Sequence, residues 1–299
     1  MEYIVAVDIG GTKIAAGVLN KENVWMSEIK KKSDTSSADN MYVSLLDSIH
    51  EAIDQANLSK EQITGIGLTI PGQLDTEKGL AIYQNNLPWE NFPVGDRLAK
   101  EFPTYQLAFE HDVVAAALGE WSVRNLTDEL FVYITVSTGI CASIIHQGKP
   151  LRGLGLAGEI GFFPVHEGQV LENYASGSAM ERALKLGDPN STLADAFRRW
   201  EQGDKDLDSF FQDRAYQLAV AIFNVTAVLD PDRIVLGGGV INNQESFFKL
   251  IKDHYQLLCK HPLQKNWPTR IELSTLKGKS GLFGVAMKAS VSIKCDELS

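Results

Sequence analysis

Two short glycine turns and one acidic junction carry residue types and spacings suited to phosphate chemistry. Asp8-Ile9-Gly10-Gly11-Thr12-Lys13 directly follows an apolar run. Its glycines let backbone amides come close to a phosphate, while Thr12 and Lys13 add a hydroxyl and a charge. Asp8 is a candidate Mg²⁺ residue, acting through water because magnesium keeps most of its hydration. A plain hairpin turn with a solvent lysine has the same local pattern, so the motif alone does not decide. A second turn, Ser137-Thr138-Gly139, follows another apolar run and strengthens the phosphate reading. Glu110-His111-Asp112 opens an alanine-rich stretch. A carboxylate at such a strand-to-helix junction either caps the helix or takes a proton from a reacting hydroxyl.

The elements that must position these residues read as alternating strands and helices. Tyr3 to Leu19 has the pattern strand, glycine turn, strand. A shift of 128 residues brings the design back at Phe131 to Ile145, with Gly11 falling on Gly139 and Lys21 on Lys149. A repeat at so long a spacing predicts two similar domains, each offering a glycine turn to a shared cleft, rather than a solenoid. Residues 39–57 have helical apolar spacing at Met41, Leu45, Leu46, Ile49 and Ile53. Ile63 to Ile70, Tyr105 to Phe109 and Arg233 to Leu236 read as strands, and Val113 to Trp121, 207–229 and Gly281 to Val291 as helices. The class is α/β.

Other function classes are excluded by composition and pattern. A net charge of −10 disfavours nucleic acid as partner, and Lys30-Lys31-Lys32 reads as a solvated strand end or loop. Cys141, Cys259 and Cys295 lack paired-ligand spacing and fit a reduced compartment. With a β-like run from residue 3 and no apolar stretch of membrane-spanning length, no signal peptide or membrane partner is expected, and the expected location is cytoplasmic. No G-x-x-x-x-G-K-[ST] occurs, which excludes the usual P-loop. Gly153-Leu154-Gly155-Leu156-Ala157-Gly158 matches G-x-G-x-x-G, but it lacks the strand before and the helix after that a dinucleotide fold requires.

Taken in order, Asp8 to Lys13, Ile70-Pro71-Gly72, Asn86-Leu87-Pro88-Trp89, Asp112 with Ala115 to Glu120, Ser137 to Gly139, Gly158 to Gly161, Leu171 to Gly177, Asp230-Pro231 with Gly237 to Gly239, and Gly281 to Gly284 resemble the ROK family along essentially the whole chain. That family includes bacterial hexose and amino-sugar kinases and sugar-responsive repressors. The resemblance implies a two-domain actin-like ATPase or sugar-kinase fold, ribonuclease H-like, with duplicated domains and a central cleft. The domains are expected at 1–115, completed by a C-terminal helix at about 285–299, and at 116–284. The implied activity is ATP-dependent, Mg²⁺-requiring phosphorylation of a hexose or N-acetylhexosamine at the C6 hydroxyl, with glucose, N-acetylmannosamine and β-glucosides all admissible. By position, Asp112 matches the catalytic base. Gly72, Asn86 and Glu159 match sugar-binding positions, with His111 beside the base. Gly10, Gly11, Thr12, Lys13, Thr138 and Gly139 match phosphate positions, and Gly238 and Gly239 the glycines near the adenosine. A homodimer is expected by the same resemblance.

The chain also departs from the family pattern. Family repressors carry a DNA-binding segment ahead of the first glycine turn, whereas seven residues precede Asp8 here. Zinc-bearing members have a histidine where this chain has Phe162, and a cysteine-rich loop where Phe163 to Val170 is short and cysteine-free. His166 and Glu167 are poor substitutes for such ligands. We therefore expect no structural zinc, with Phe162 and Phe163 packing in its place. His111 replaces the usual asparagine, and Cys141-Ala142-Ser143 a more glycine-rich run. These changes keep open a second reading: a sugar-binding regulatory protein without a DNA-binding domain that has lost efficient transfer.

Overall fold

Strand β1 (Tyr3–Ile9) is the centre of the first unit, and its near-continuous apolar run is buried on both faces. The computed structural model describes residues 3–296. After β1 come β2 (Lys13–Asn20), β3 (Trp25–Lys32), α1 (Ala38–Gln55), β4 (Ile63–Thr69), β5 (Gln73–Asp75), β6 (Leu80–Tyr83), β7 (Glu90–Pro93), α2 (Val94–Glu101), β8 (Gln106–Glu110) and α3 (Asp112–Val123). The main sheet has the order β3-β2-β1-β4-β8; β5, β6 and β7 form a separate small sheet. The β1 pairings are antiparallel to β2 and parallel to β4, and β8 runs parallel to β4. Helix α1 begins where the Ser37 hydroxyl accepts from the Asn40 amide. It buries Met41, Leu45, Ile49 and Ile53 in the core of this unit, each such side chain contributing about 1.5–3 kcal/mol.

The second unit repeats this plan. Its elements are β9 (Leu130–Val136), β10 (Ile140–His146), β11 (Lys149–Pro150), α4 (Leu171–Ala175), α5 (Gly177–Gly187), α6 (Leu193–Glu201), α7 (Lys205–Leu229), β12 (Arg233–Gly237), α8 (Glu245–Leu258) and β13 (Ile271–Leu273). The sheet order β11-β10-β9-β12-β13 copies the first sheet strand for strand, with two antiparallel pairings followed by two parallel ones. Phe197, Phe211 and Phe247 from α6, α7 and α8 meet in one aromatic cluster of its core. Residues 153–158 form turns with left-handed φ at Gly153, Gly155 and Gly158, preceded only by the two-residue β11. The dinucleotide context is absent there.

The last helix, α9 (Ser280–Asp296), belongs to the first unit. It packs on α3 at backbone distance: a Cβ on Gly284 would lie 1.7 Å from the Ala115 carbonyl oxygen, and one on Gly119 2.4 Å from that of Ser280. Both helices therefore stay whole in one unit. The chain divides after Val123 and again after Gly278, not at 115 and 284. A boundary at 115 would cut α3 in its first turn.

Candidate active site

Parallel register brings Asp8 beside Thr69, and Thr69 beside Glu110, at the carboxyl ends of β1, β4 and β8. Ligands of open α/β sheets gather at such strand ends. The half-buried Asp8 accepts from the Thr69 hydroxyl at 2.6 Å through Oδ1. Burial pushes its carboxyl above the ordinary 3.8, with the nearby Asp112 charge acting in the same direction and the Thr69 bond and Lys13 opposing it. An extra positive charge would relieve this, and a carboxylate oxygen is a hard donor of the type magnesium prefers. Asp8 thus fits the role of a Mg²⁺ residue, although among the described residues no group of three acidic, histidine or cysteine side chains could hold a metal by itself.

Asp112 is the first residue of α3, two positions beyond Glu110. Its Oδ1 accepts from the Val113 amide at 2.9 Å and lies 3.2 Å from His111 Nδ1. The His111 carbonyl accepts the first intrahelical bond, from the Ala115 amide, so His111 holds the cap position. Asp112 is 43% exposed, and neither contact uses Oδ2. The geometry leaves that oxygen for a proton.

The first glycine turn is braced by the residue that follows β3: Ser33 donates through its hydroxyl to the Gly10 carbonyl at 2.6 Å and through its amide to that of Thr12 at 3.1 Å. Lys13 is exposed beside it. A Cβ on Gly11 would lie 2.4 Å from the Asn86 carbonyl oxygen, so Asn86 rests directly on the turn. Buried Leu87 and Trp89 anchor this segment, Trp89 also donating to the Ala38 carbonyl at 3.0 Å, which leaves Asn86 exposed. Gly72 has φ +81°, and a Cβ there would lie 2.5 Å from the Tyr83 carbonyl. Only glycine suits that position.

In the second unit Thr138 and Gly239 line a pocket of about 810 Å³ together with Ser137, Gly177, Arg182 and Asn243. The pocket receives the N-terminus of α5, where the Gly177 amide donates to the Ser137 carbonyl at 2.7 Å and the Ala179 amide to the Ser176 hydroxyl at 3.2 Å, and the helix dipole there favours an anion. Gly238 has φ +92°, and a Cβ on it would strike the Val136 carbonyl at 2.4 Å; Gly239 opens freely. Gly139 itself is covered by Glu172, whose Oε2 accepts from the Ile140 amide at 2.9 Å. Sequence reasoning missed the α5 wall and Glu172. The Ser176-Gly177 cap signal pointed to the former, while nothing local marked the latter. Glu159 is half-buried, its Oε1 3.7 Å from Cys141 Sγ, and Gly158 is stitched to β10 by the Ala142 amide at 2.8 Å.

The short loop after Glu159 differs from expectation. Phe163 packs against the core of the second unit, but Phe162 is 63% exposed. Polar contacts join this loop to α4 and α7. The Tyr174 hydroxyl donates to Asp213, His166 Nε2 lies 3.8 Å from the same carboxylate, and the His166 and Tyr174 rings meet edge-on at 4.8 Å.

The ROK family model matches residues 4–290 of the chain. A glucokinase of Halalkalibacterium halodurans is 29% identical, covering 94% of this chain and 93% of its own. An N-acetyl-D-glucosamine kinase of Salmonella newport is 27% identical, covering 93% and 96%. The crystal structure of a ROK hexokinase from Thermus thermophilus superposes with a TM-score of 0.77 at 27% identity, over 98% of this chain and 99% of that one. The two-unit architecture is thus the actin-like fold of these sugar kinases.

Proposed function

The chain belongs to the ROK family, and from that premise we propose that it is an ATP-dependent sugar kinase acting on the C6 hydroxyl of an aldohexose or N-acetylhexosamine. Both a glucokinase and an N-acetyl-D-glucosamine kinase stand at similar distance from it. The observation that carries the reading is the Asp112 carboxylate, exposed at the head of α3 with Oδ2 uncommitted, in the same unit as the Asp8 carboxylate and the braced glycine turn.

In this reading Asp112 accepts the proton of the sugar hydroxyl as its oxygen bonds to the γ-phosphorus of ATP, and the bond from that phosphorus to the β,γ-bridging oxygen breaks to release ADP. Phosphoryl transfer asks chiefly for positioning and neutralised charge. Gly72, Asn86, His111 and Glu159 orient the sugar. Gly10 to Lys13, Thr138 and Gly139 hold the phosphates, and Gly238 and Gly239 make room for the adenosine. Asp8 would hold Mg²⁺ through water, and the ion supplies counter-charge to the phosphate oxygens when bound. Homodimeric assembly in the cytoplasm belongs to the same proposal.

The second reading, a sugar-binding chain that has lost transfer, is disfavoured by the retained Asp8, Lys13, Asp112 and Glu159. A coupled ADP-release assay over glucose, N-acetylglucosamine, N-acetylmannosamine and a β-glucoside tests the choice. Turnover with at least one sugar is expected. Sugar binding with no turnover on any would establish the binder instead.

A further inference from the structure

Glu110 is fully buried at the end of β8, where a lone carboxylate would be strongly disfavoured. Its Oε2 accepts from Lys288 Nζ at 2.8 Å, and its Oε1 from the His111 amide at 2.9 Å. The same ammonium donates to the Phe109 carbonyl at 2.8 Å. One side chain of α9 therefore fixes Phe109, Glu110 and, through the carboxylate, His111. The next residue is Asp112.

The surrounding backbone is held as well. The Ile70 amide donates to the Glu110 carbonyl at 2.9 Å, and the Ala115 amide to that of His111 at 2.8 Å. Glu110 is 1% and Lys288 30% exposed, and an ion pair so far withdrawn from water is often no more stabilising than apolar side chains of similar volume, so stability alone does not account for this one. What an apolar pair could not do is orient the Phe109 carbonyl and the His111 amide.

We propose that Lys288 and Glu110 are positioning residues for the transfer reaction: they hold the peptide that aims the Asp112 carboxylate. The inference rests on the reading of Asp112 as the base. Its size follows from the sensitivity of catalysis to placement, since a misplacement of about 1 Å can cost on the order of a hundredfold in rate.

The test is steady-state kinetics on Lys288→Met, Glu110→Gln and the charge-neutral Glu110→Gln/Lys288→Met chain, each with and without Asp112→Asn. For Lys288→Met, kcat should fall about tenfold or more while KM for sugar and for ATP stays within about threefold. Added to Asp112→Asn, the same change should cost no more than about twofold further, because it acts through the group already removed. The double variant leaves no unpaired buried charge and keeps the test decisive if a single variant does not fold. It too should show the lowered kcat, since the Phe109 carbonyl loses its donor. A folded Lys288→Met or double variant with kcat within about twofold of the parent would overturn the proposal, as would a full further tenfold loss in the Asp112→Asn background, the mark of a merely structural role. If the parent chain is active and these variants match it, this inference alone fails. If the parent transfers to no sugar, it falls together with the function it rests on.

Discussion

The Thr69 hydroxyl donates to Asp8 Oδ1 at 2.6 Å across two neighbouring parallel strands whose register sets the residues side by side. Even with this bond, burial keeps the Asp8 carboxyl above its ordinary 3.8. The folded chain thus holds the Asp8 proton more tightly than the unfolded chain, and stability falls as pH rises from the unfolded value through the folded one. Asp8→Asn removes that cost. Without nucleotide and Mg²⁺ the variant should be more stable than the parent at pH 7, with the difference shrinking as pH falls through the raised folded value towards the ordinary carboxylate range near about 4 and gone below it. It should also lose transfer. Denaturant unfolding at a series of pH values checks this, and equal stability of the two chains at pH 7 would contradict it.

Gly139 and Glu172 make a second pair of this kind. A Cβ at 139 would lie 2.4 Å from Glu172 Oε2, which is held by the Ile140 amide at 2.9 Å. Gly139→Ala must therefore push the end of the Glu172 side chain aside and cost the Ile140 amide its carboxylate partner, a charged hydrogen bond worth about 1.5–3 kcal/mol. Spent at the nucleotide site, that corresponds to a rise in KM for ATP of about tenfold or more, with sugar KM little changed. Unaltered ATP affinity would show that the turn does not touch the phosphates.

The shortened loop in the second unit offers a contrast between adjacent phenylalanines. Phe163 packs on the core and Phe162 is 63% exposed. Phe163→Ala should lower stability by on the order of 2 kcal/mol and Phe162→Ala by less than about 0.5 kcal/mol. A zinc-selective chelator should leave the melting temperature unchanged, because a structural zinc would be part of the folding energy. Elemental analysis showing one tightly held zinc per chain would defeat this account of the loop.

Much of this was readable from the chain itself because the signals are local. The strand, glycine turn, strand pattern gave both hairpins, and the duplicated sheet order follows from the repeat of Gly11 at Gly139. Asp8, Asp112 and Thr138 stood out as polar residues at element ends. Partners set by long-range register did not. Lys288 reaches Glu110 across 178 residues and Glu172 reaches Ile140 across 32, and no spacing rule links them. The small sheet of β5, β6 and β7 is not legible in the sequence because strands of three or four residues carry too little alternation. At Phe162 the large apolar side chain suggests burial, whereas its place on a short 3-10 turn points it outward.

In the proposed reaction Asp112 removes the proton from the sugar hydroxyl. The most direct measurement compares parent and Asp112→Asn by coupled ADP release with the best sugar from the hexose panel, with sugar binding followed separately by calorimetry. The substitution preserves shape, and the carboxamide oxygen it introduces can still accept from the Val113 amide, which donates at 2.9 Å to the parent's carboxylate. Turnover should fall by about a hundredfold or more, the range for loss of a general base, while sugar affinity stays within about threefold. An Asp112→Asn chain that keeps half of the parent's turnover would contradict the assignment.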